Sequence, residues 1–224
     1  MGCLLAGHGS RRGLLGDDSV LIRISGTSVI VDRAEYDRQP MLMCMRRVKY
    51  FVACSLDGFI ARSDGNVDWL FMDQDYGMAA FFKSVDVAVM GRKTYDKMRE
   101  LDPQQASFPG MENYVFSTST KERDGEVKFI SMDVREWVTE MRSRPGKDIW
   151  LMGGGNLVRQ FLVSKVVDEI VLTIHPRLLG MGIPLFPAPY PEIELELLRC
   201  EQYSTGLVQV FYSVKQEAKD KSDG

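Results

Sequence analysis

A chain of 224 residues, 45% hydrophobic and 26% charged, is long enough to bury one α/β core without disulfide staples. Its net charge of −3 comes without a Lys/Arg stripe, which argues against a nucleic-acid partner, and no apolar run reaches the roughly 18 residues of a membrane helix. Four cysteines without a C-x-x-C pair and only two histidines argue against a metal site, so free thiols in a reducing, cytoplasmic setting are expected.

Residues 1–44 carry two short β-like runs, over 20–24 and 28–31, and no strong helix. Ser10-Arg11-Arg12 lacks the apolar segment that a twin-arginine signal needs, and Ala6 stands where a myristoylation motif has Ser or Thr. Met41, Met43 and Met45 cluster just before the first strong strand. The expected division is an extension over 1–44, a domain over 45–215 and a charged tail over 216–224.

From residue 48 the pattern alternates. A strand is expected over 48–53, a turn-bearing loop over 55–61, a helix over 75–83 and a buried strand over 85–90 that Gly91 ends. A helix over 93–100 and a strand over 113–117 follow. Asp133 is placed to cap a helix over 133–142. Next come a strand over 148–152, a helix over 156–164, a strand over 169–174 and a closing antiparallel pair at 194–199 and 207–214. Helices alternating with apolar strands predict a three-layer α/β fold around a mixed, mostly parallel sheet.

The strongest local signal is a strand running into Gly153-Gly154-Gly155 and then a helix. Consecutive glycines let the backbone approach a ligand, and the helix N-terminus offers free N–H groups to a phosphate. No Lys-Ser/Thr follows, so this is not a P-loop, and Val158 occupies the third glycine position of a Rossmann fingerprint. A second strand-to-helix junction, Met90-Gly91-Arg92-Lys93-Thr94, puts cations where they oppose the helix dipole, a placement that a bound anion would explain. Ser117-Thr118-Ser119-Thr120-Lys121 adds hydroxyls at a third strand end. The competing readings are a ligand-free αβ turn, a solvated basic helix start and an ordinary polar loop.

Four segments in order, Ala53-Cys54-Ser55-Leu56-Asp57-Gly58-Phe59-Ile60-Ala61, Val89-Met90-Gly91-Arg92-Lys93-Thr94-Tyr95, Trp150-Leu151-Met152-Gly153-Gly154-Gly155 and the run from Pro176 to Phe186, resemble the dihydrofolate-reductase-like superfamily. The nearest resemblance is to the riboflavin-biosynthesis reductase C-terminal domain and its stand-alone relatives. The resemblance implies NADPH. The turn Gly153, Gly154 and Gly155, with Asn156 and Leu157, would meet the pyrophosphate. Gly91, Arg92, Lys93 and Thr94, with Ser117 and Thr118, would meet the adenosine 2′-phosphate side. The loop holding Asp57, Gly58 and Ile60 would cover the nicotinamide, and Ala53 would face it through its backbone.

In folate reductases the acid lies fifteen positions before the Met of Met-Gly-Arg, which is Asp75 here, with Thr173 as its partner. A carboxylate in an apolar pocket holds a proton near neutral pH. Asp75 as a simple helix cap, or Asp73 or Asp68 as the acid after a small insertion, are the alternatives. Met111 replaces the Arg that clamps the folate tail, and Ala79 replaces an aromatic, so dihydrofolate is expected to be a poor substrate. Neither a His-x-Glu nor a Pro-Cys-x-x-Cys stands in residues 1–44, so no deaminase is expected there. His175 reads as structural, while Trp69, Phe71 and Tyr76 are open between substrate side and core.

The resemblance thus implies hydride transfer from NADPH to a small pterin-like or pyrimidine-like heterocycle, with 5-amino-6-(5-phosphoribosylamino)uracil as one candidate, by a homodimer. The alternative is a non-catalytic NADPH-binding sensor of the same fold.

Overall fold

The computed structural model describes residues 19–24, 27–32, 46–101, 107–118 and 123–215. The methionine cluster at 41–45, Ala6, Ser10 to Arg12, the polar run 119–121 and the tail from 216 lie outside the described residues. The chain divides into two units, Met1–Met45 and Arg46–Gly224. The first holds an antiparallel hairpin of β1 (Ser19–Ile24) and β2 (Thr27–Asp32), with Ser19 opposite Asp32 and Ile24 opposite Thr27.

In the second unit the elements run β3 (Val48–Ser55), β4 (Phe59–Ala61), α1 (Met78–Ser84), β5 (Val85–Gly91), α2 (Arg92–Leu101), β6 (Glu112–Phe116), β7 (Arg123–Asp124), β8 (Val127–Ile130), α3 (Val134–Ser143), β9 (Asp148–Gly153), α4 (Gly155–Val163), β10 (Glu169–His175), β11 (Ile183–Pro184), β12 (Leu195–Gln202) and β13 (Val208–Val214). Nine strands form one sheet in the order β12-β13-β10-β3-β9-β5-β6-β8-β7. The run from β10 to β8 is parallel, and β12, β13 and β7 close the edges antiparallel. The mixed, mostly parallel sheet is the one the sequence predicts.

Central strands are buried on both faces, which is why β5 reads as an unbroken apolar run: Val87, Ala88, Val89 and Met90 are fully inaccessible. On one face α3 and α4 pack through Trp137, Val138, Met141, Val158 and Phe161 against Val48, Val87, Val89 and Leu151. On the other face α1 brings Phe81 against Phe51, Ala88 and Trp150, and α2 brings Tyr95 against Met90 and Val115. These are the three layers. Asp133 caps α3, its carboxylate accepting from the N–H groups of Arg135 and Glu136.

The N-terminal ends of the parallel strands are tied by ion pairs. Arg46 meets Asp86, Lys49 meets Asp148, and Arg142 meets Asp168. Glu112 at the start of β6 receives Lys128, Tyr114 and Arg144. Burial alone would raise its pKa, but those hydrogen bonds hold it down, at about 2 against an ordinary 4.5. The folded state therefore binds this proton less readily than the unfolded chain. The stability it contributes is complete above pH 4.5 and drains away as pH falls toward 2. Urea midpoints across that window should fall less steeply for Glu112→Gln than for the parent chain, and equal slopes would reject the assignment.

Two local expectations shift. The helix expected from 75 starts at Met78, because Tyr76 (φ 47°) and Gly77 (φ 77°) form a left-handed turn before it. The four-residue strand β8 and the two-residue β7 and β11 add pairing that their length hides in the sequence. Among the described residues no helix is long and apolar enough to cross a membrane.

Candidate functional site

The parallel strands all end at one edge, and there each turns into a helix or loop. Strand β5 runs directly into α2, and its neighbour β9 passes through Gly154 into α4. Met90 pairs with Gly153, so the two junctions lie side by side. Gly154 (φ 88°) packs so closely that a Cβ would come within 2.9 Å of Thr94 Oγ1 and 3.4 Å of the Gly91 backbone. Only glycine combines that conformation with that approach. The first N–H groups of a helix have no acceptor within it, and its N-terminus carries partial positive charge. Two such ends, of α2 and α4, therefore open on one place.

A cavity of about 1270 Å³ follows this edge. It is lined from β10 and β3, past β9, β5 and β6, to the residues after β8. Five inter-strand steps of about 4.8 Å make its floor about 24 Å long. Pockets for a single small molecule measure roughly 300–1,000 Å³, so this cavity is large enough for an extended ligand with a second molecule beside it. Among the described residues its Lys and Arg side chains are Arg92, Lys93 and Lys97, and no Asp or Glu lines it.

Arg92 is pre-positioned. Its Nε donates to both oxygens of Asp96 at 2.8 and 2.9 Å, and the guanidinium lies over the Phe129 ring. The η nitrogens have no hydrogen bond among the described residues, so the fork is held at its base with its tip available. Ser117 and Thr118, after β6, line the wall beside it.

The other end of the cavity is apolar, with Phe51, Leu70, Phe71, Met78 and Trp150 around Thr173 and His175. Nε2 of the buried His175 accepts the Phe71 N–H at 3.1 Å. The ring proton is therefore assigned to Nδ1, which donates to the Thr173 carbonyl. A ring whose Nε2 accepts is neutral, and burial lowers the His175 pKa in the same direction despite the backbone acceptors of Thr173 and Cys54; the ring packs against Trp69 and Phe71 and fixes the 69–71 segment. Trp69 is packed beside it, away from the cavity lining, and its Nε1 has no hydrogen-bond partner among the described residues. Tyr76 lines the cavity, but its hydroxyl is engaged by Asp73. The Cys54 thiol is pushed by burial up to about 11 and is inert at neutral pH.

Of the residues singled out in the sequence, Ala53, Ile60, Gly91, Arg92, Lys93, Thr94, Ser117, Thr118, Gly154, Gly155, Asn156, Leu157 and Thr173 line this one cavity. Gly153 is buried in β9 just behind it. Asp57 and Gly58 lie outside the lining: the Asp57 carboxylate accepts from Ser55 Oγ and from the N–H groups of Leu179 and Gly180, pinning two loops together. Gly58 makes the tight turn between them, its N–H donating to the Ser55 carbonyl. Asp75 also lies outside. It is exposed, and its carboxylate accepts the Ala79 N–H while its carbonyl accepts that of Met78, so it closes the start of α1. Asp68 pairs with Arg62.

Lys97 of the lining and Gln209, bonded to Thr173, escaped the sequence reading. Lys97 follows Lys93 by four, the spacing of one helix face, and that signal was readable. Gln209, which donates to Thr173 Oγ1 at 2.8 Å, has only its register opposite Thr173 to reveal it.

The RibD C-terminal domain family matches residues 46–209. The uncharacterised Bacillus subtilis protein YyaP is 37% identical over 178 residues, covering 75% of this chain and 94% of YyaP. The crystal structure of a Shewanella sp. PV-4 protein named for riboflavin biosynthesis superposes with a TM-score of 0.68 at 27% identity, covering 76% of this chain and 99% of that one. Dihydrofolate reductase from Enterococcus faecalis, complexed with NADP(H), superposes at a TM-score of 0.58 and 14% identity over 76% of this chain and 97% of its own. That last likeness shows a shared fold. The glycine junctions, the cavity along the strand ends and the matched span agree: the chain belongs to the RibD C-terminal domain family and has the dihydrofolate-reductase-like fold.

Proposed function

We propose that the chain is an NADPH-dependent reductase acting on a small pterin-like or pyrimidine-like heterocycle. One observation carries the reading: the Gly91 and Gly154 junctions abut, so two helix N-termini and a tethered arginine share a cavity with cationic and no acidic lining among the described residues. That donor set fits a phosphorylated dinucleotide. Gly154, Gly155 and Asn156 would hold the pyrophosphate through backbone N–H groups. Arg92, with Ser117 and Thr118, would hold the 2′-phosphate, which a guanidinium fork suits. When bound, the dihydronicotinamide supplies a hydride equivalent. Apolar Phe51, Phe71 and Trp150 exclude water around the acceptor ring, and the Thr173 hydroxyl is the donor facing it.

The test is oxidation of NADPH by purified protein across a panel of oxidised heterocycles, followed by loss of nicotinamide absorbance. An enzyme gives turnover with one member. A sensor binds NADPH and oxidises it with none.

Met111 packs partly buried against the Phe81 and Trp150 cluster, so no arginine clamps a folate tail there. Losing a bidentate charged pair of about 3 kcal/mol predicts dihydrofolate turnover some 100-fold below that of the preferred ring. Efficient dihydrofolate reduction contradicts this. Asp75→Ala separates the two roles open to that residue. A cap predicts a stability loss of about 1 kcal/mol in urea with turnover retained. A fall in turnover beyond tenfold would restore Asp75 as the acid.

A further inference from the structure

We propose that Gln209 is the positioning residue that sets ring specificity: by donating to Thr173 it turns the threonine hydroxyl toward the cavity, so the site grips rings that offer a hydrogen-bond acceptor and not amidine-type rings. The inference rests on the reductase reading and names the substrate class of the same site.

Gln209 sits in β13 directly opposite Thr173 of β10. Gln209 and Phe211 share the inward face of β13, with buried Leu207 just before it, and Gln209 is 1% exposed. Burying an amide among apolar neighbours is unfavourable unless it is hydrogen-bonded. Packing alone would favour an aliphatic side chain, so the amide needs a reason. Its Nε2 donates to Thr173 Oγ1 at 2.8 Å and more weakly to the Tyr76 carbonyl at 3.4 Å. The carbonyl only accepts, which fixes which end of the amide is nitrogen.

A threonine hydroxyl has one proton and two lone pairs. Accepting from Gln209 leaves its proton for another partner, and it has no acceptor among the described residues. Thr173 lines the cavity. A carboxylate here would receive the paired N–H groups of an amidine through charge-assisted bonds. Asp75 is instead turned away to α1, and a neutral O–H donor is what remains. Such a donor complements a ring carbonyl or an unprotonated ring nitrogen and gives a cationic amidine no counter-charge.

The test uses the NADPH-saturated protein and two matched probes, the dioxo and diamino forms of dimethylpteridine, with affinities from titration calorimetry. The parent chain should favour the dioxo ring by about tenfold or more. Gln209→Glu should reverse the order. Gln209→Met, close in volume, and Thr173→Val should each abolish the preference, and the double variant should lose no more than either alone. A purely structural role would move both probes together, and that result overturns the proposal. So does a parent chain that favours the diamino ring or binds neither probe. If NADPH itself fails to bind, the reductase reading falls; if NADPH binds and the variants keep the parent preference, only this inference falls.

Discussion

On the proposed reading, Gly154→Ala should weaken NADPH binding about 10–100-fold while the protein still folds. The residue adopts φ 88°, and its missing Cβ leaves room for Thr94 Oγ1 at 2.9 Å and the Gly91 backbone at 3.4 Å. Forcing a side chain into such a conformation costs about 1–3 kcal/mol, before the contact with Thr94 is counted. Without ligand the variant's turn should relieve that strain by letting α4 shift away from α2. Binding has to restore the close approach, so the strain reappears as lost affinity at about 1.4 kcal/mol per tenfold. Gly58→Ala is the control. It carries similar strain at φ 80° in a turn outside the cavity lining, with open space around its Cβ. It should lower stability and leave NADPH affinity within about threefold. Equal losses of affinity in both variants would mean that Gly154 matters only to the fold.

On the proposed reading, Arg92→Gln should remove a preference for NADPH over NADH. Asp96 and the Phe129 ring hold the guanidinium base, so little side-chain freedom is lost when its tip meets a phosphate. Hydrogen bonds to charged groups contribute about 1.5–3 kcal/mol, which predicts a loss of about 10–150-fold for NADPH. NADH, lacking the phosphate, should change by less than about threefold. Raising the salt concentration should weaken NADPH binding to the parent more than to the variant. A parallel loss for both nucleotides would move Arg92 away from the 2′-phosphate.

Backbone requirements were the legible part of this site. The turn at Gly153 to Gly155 is written into the sequence because Gly153 and Gly154 take positive φ and a Cβ at Gly154 or Gly155 would come within 2.9 Å of a neighbour, and the β5 run is legible because a strand covered on both faces must be apolar throughout. The cap at Asp133 is legible for the same local reason.

What depended on direction was not. A count of fifteen residues back from Met90 finds Asp75, but a left-handed turn at Tyr76 and Gly77 points that stretch toward the start of α1. Asp57 sits in the expected loop, yet its carboxylate is consumed by N–H groups more than a hundred residues further on. Gln209 became visible only through strand pairing, since nothing local to β13 marks it as a partner of Thr173.

The central claim is that adjoining strand ends hold a phosphorylated dinucleotide, and tryptophan fluorescence tests it most directly because Trp150 lines the cavity. Titration with NADPH should give saturable quenching, with NADH weaker by about tenfold or more. No saturable response to NADPH, or the same affinity for both nucleotides, would contradict the account.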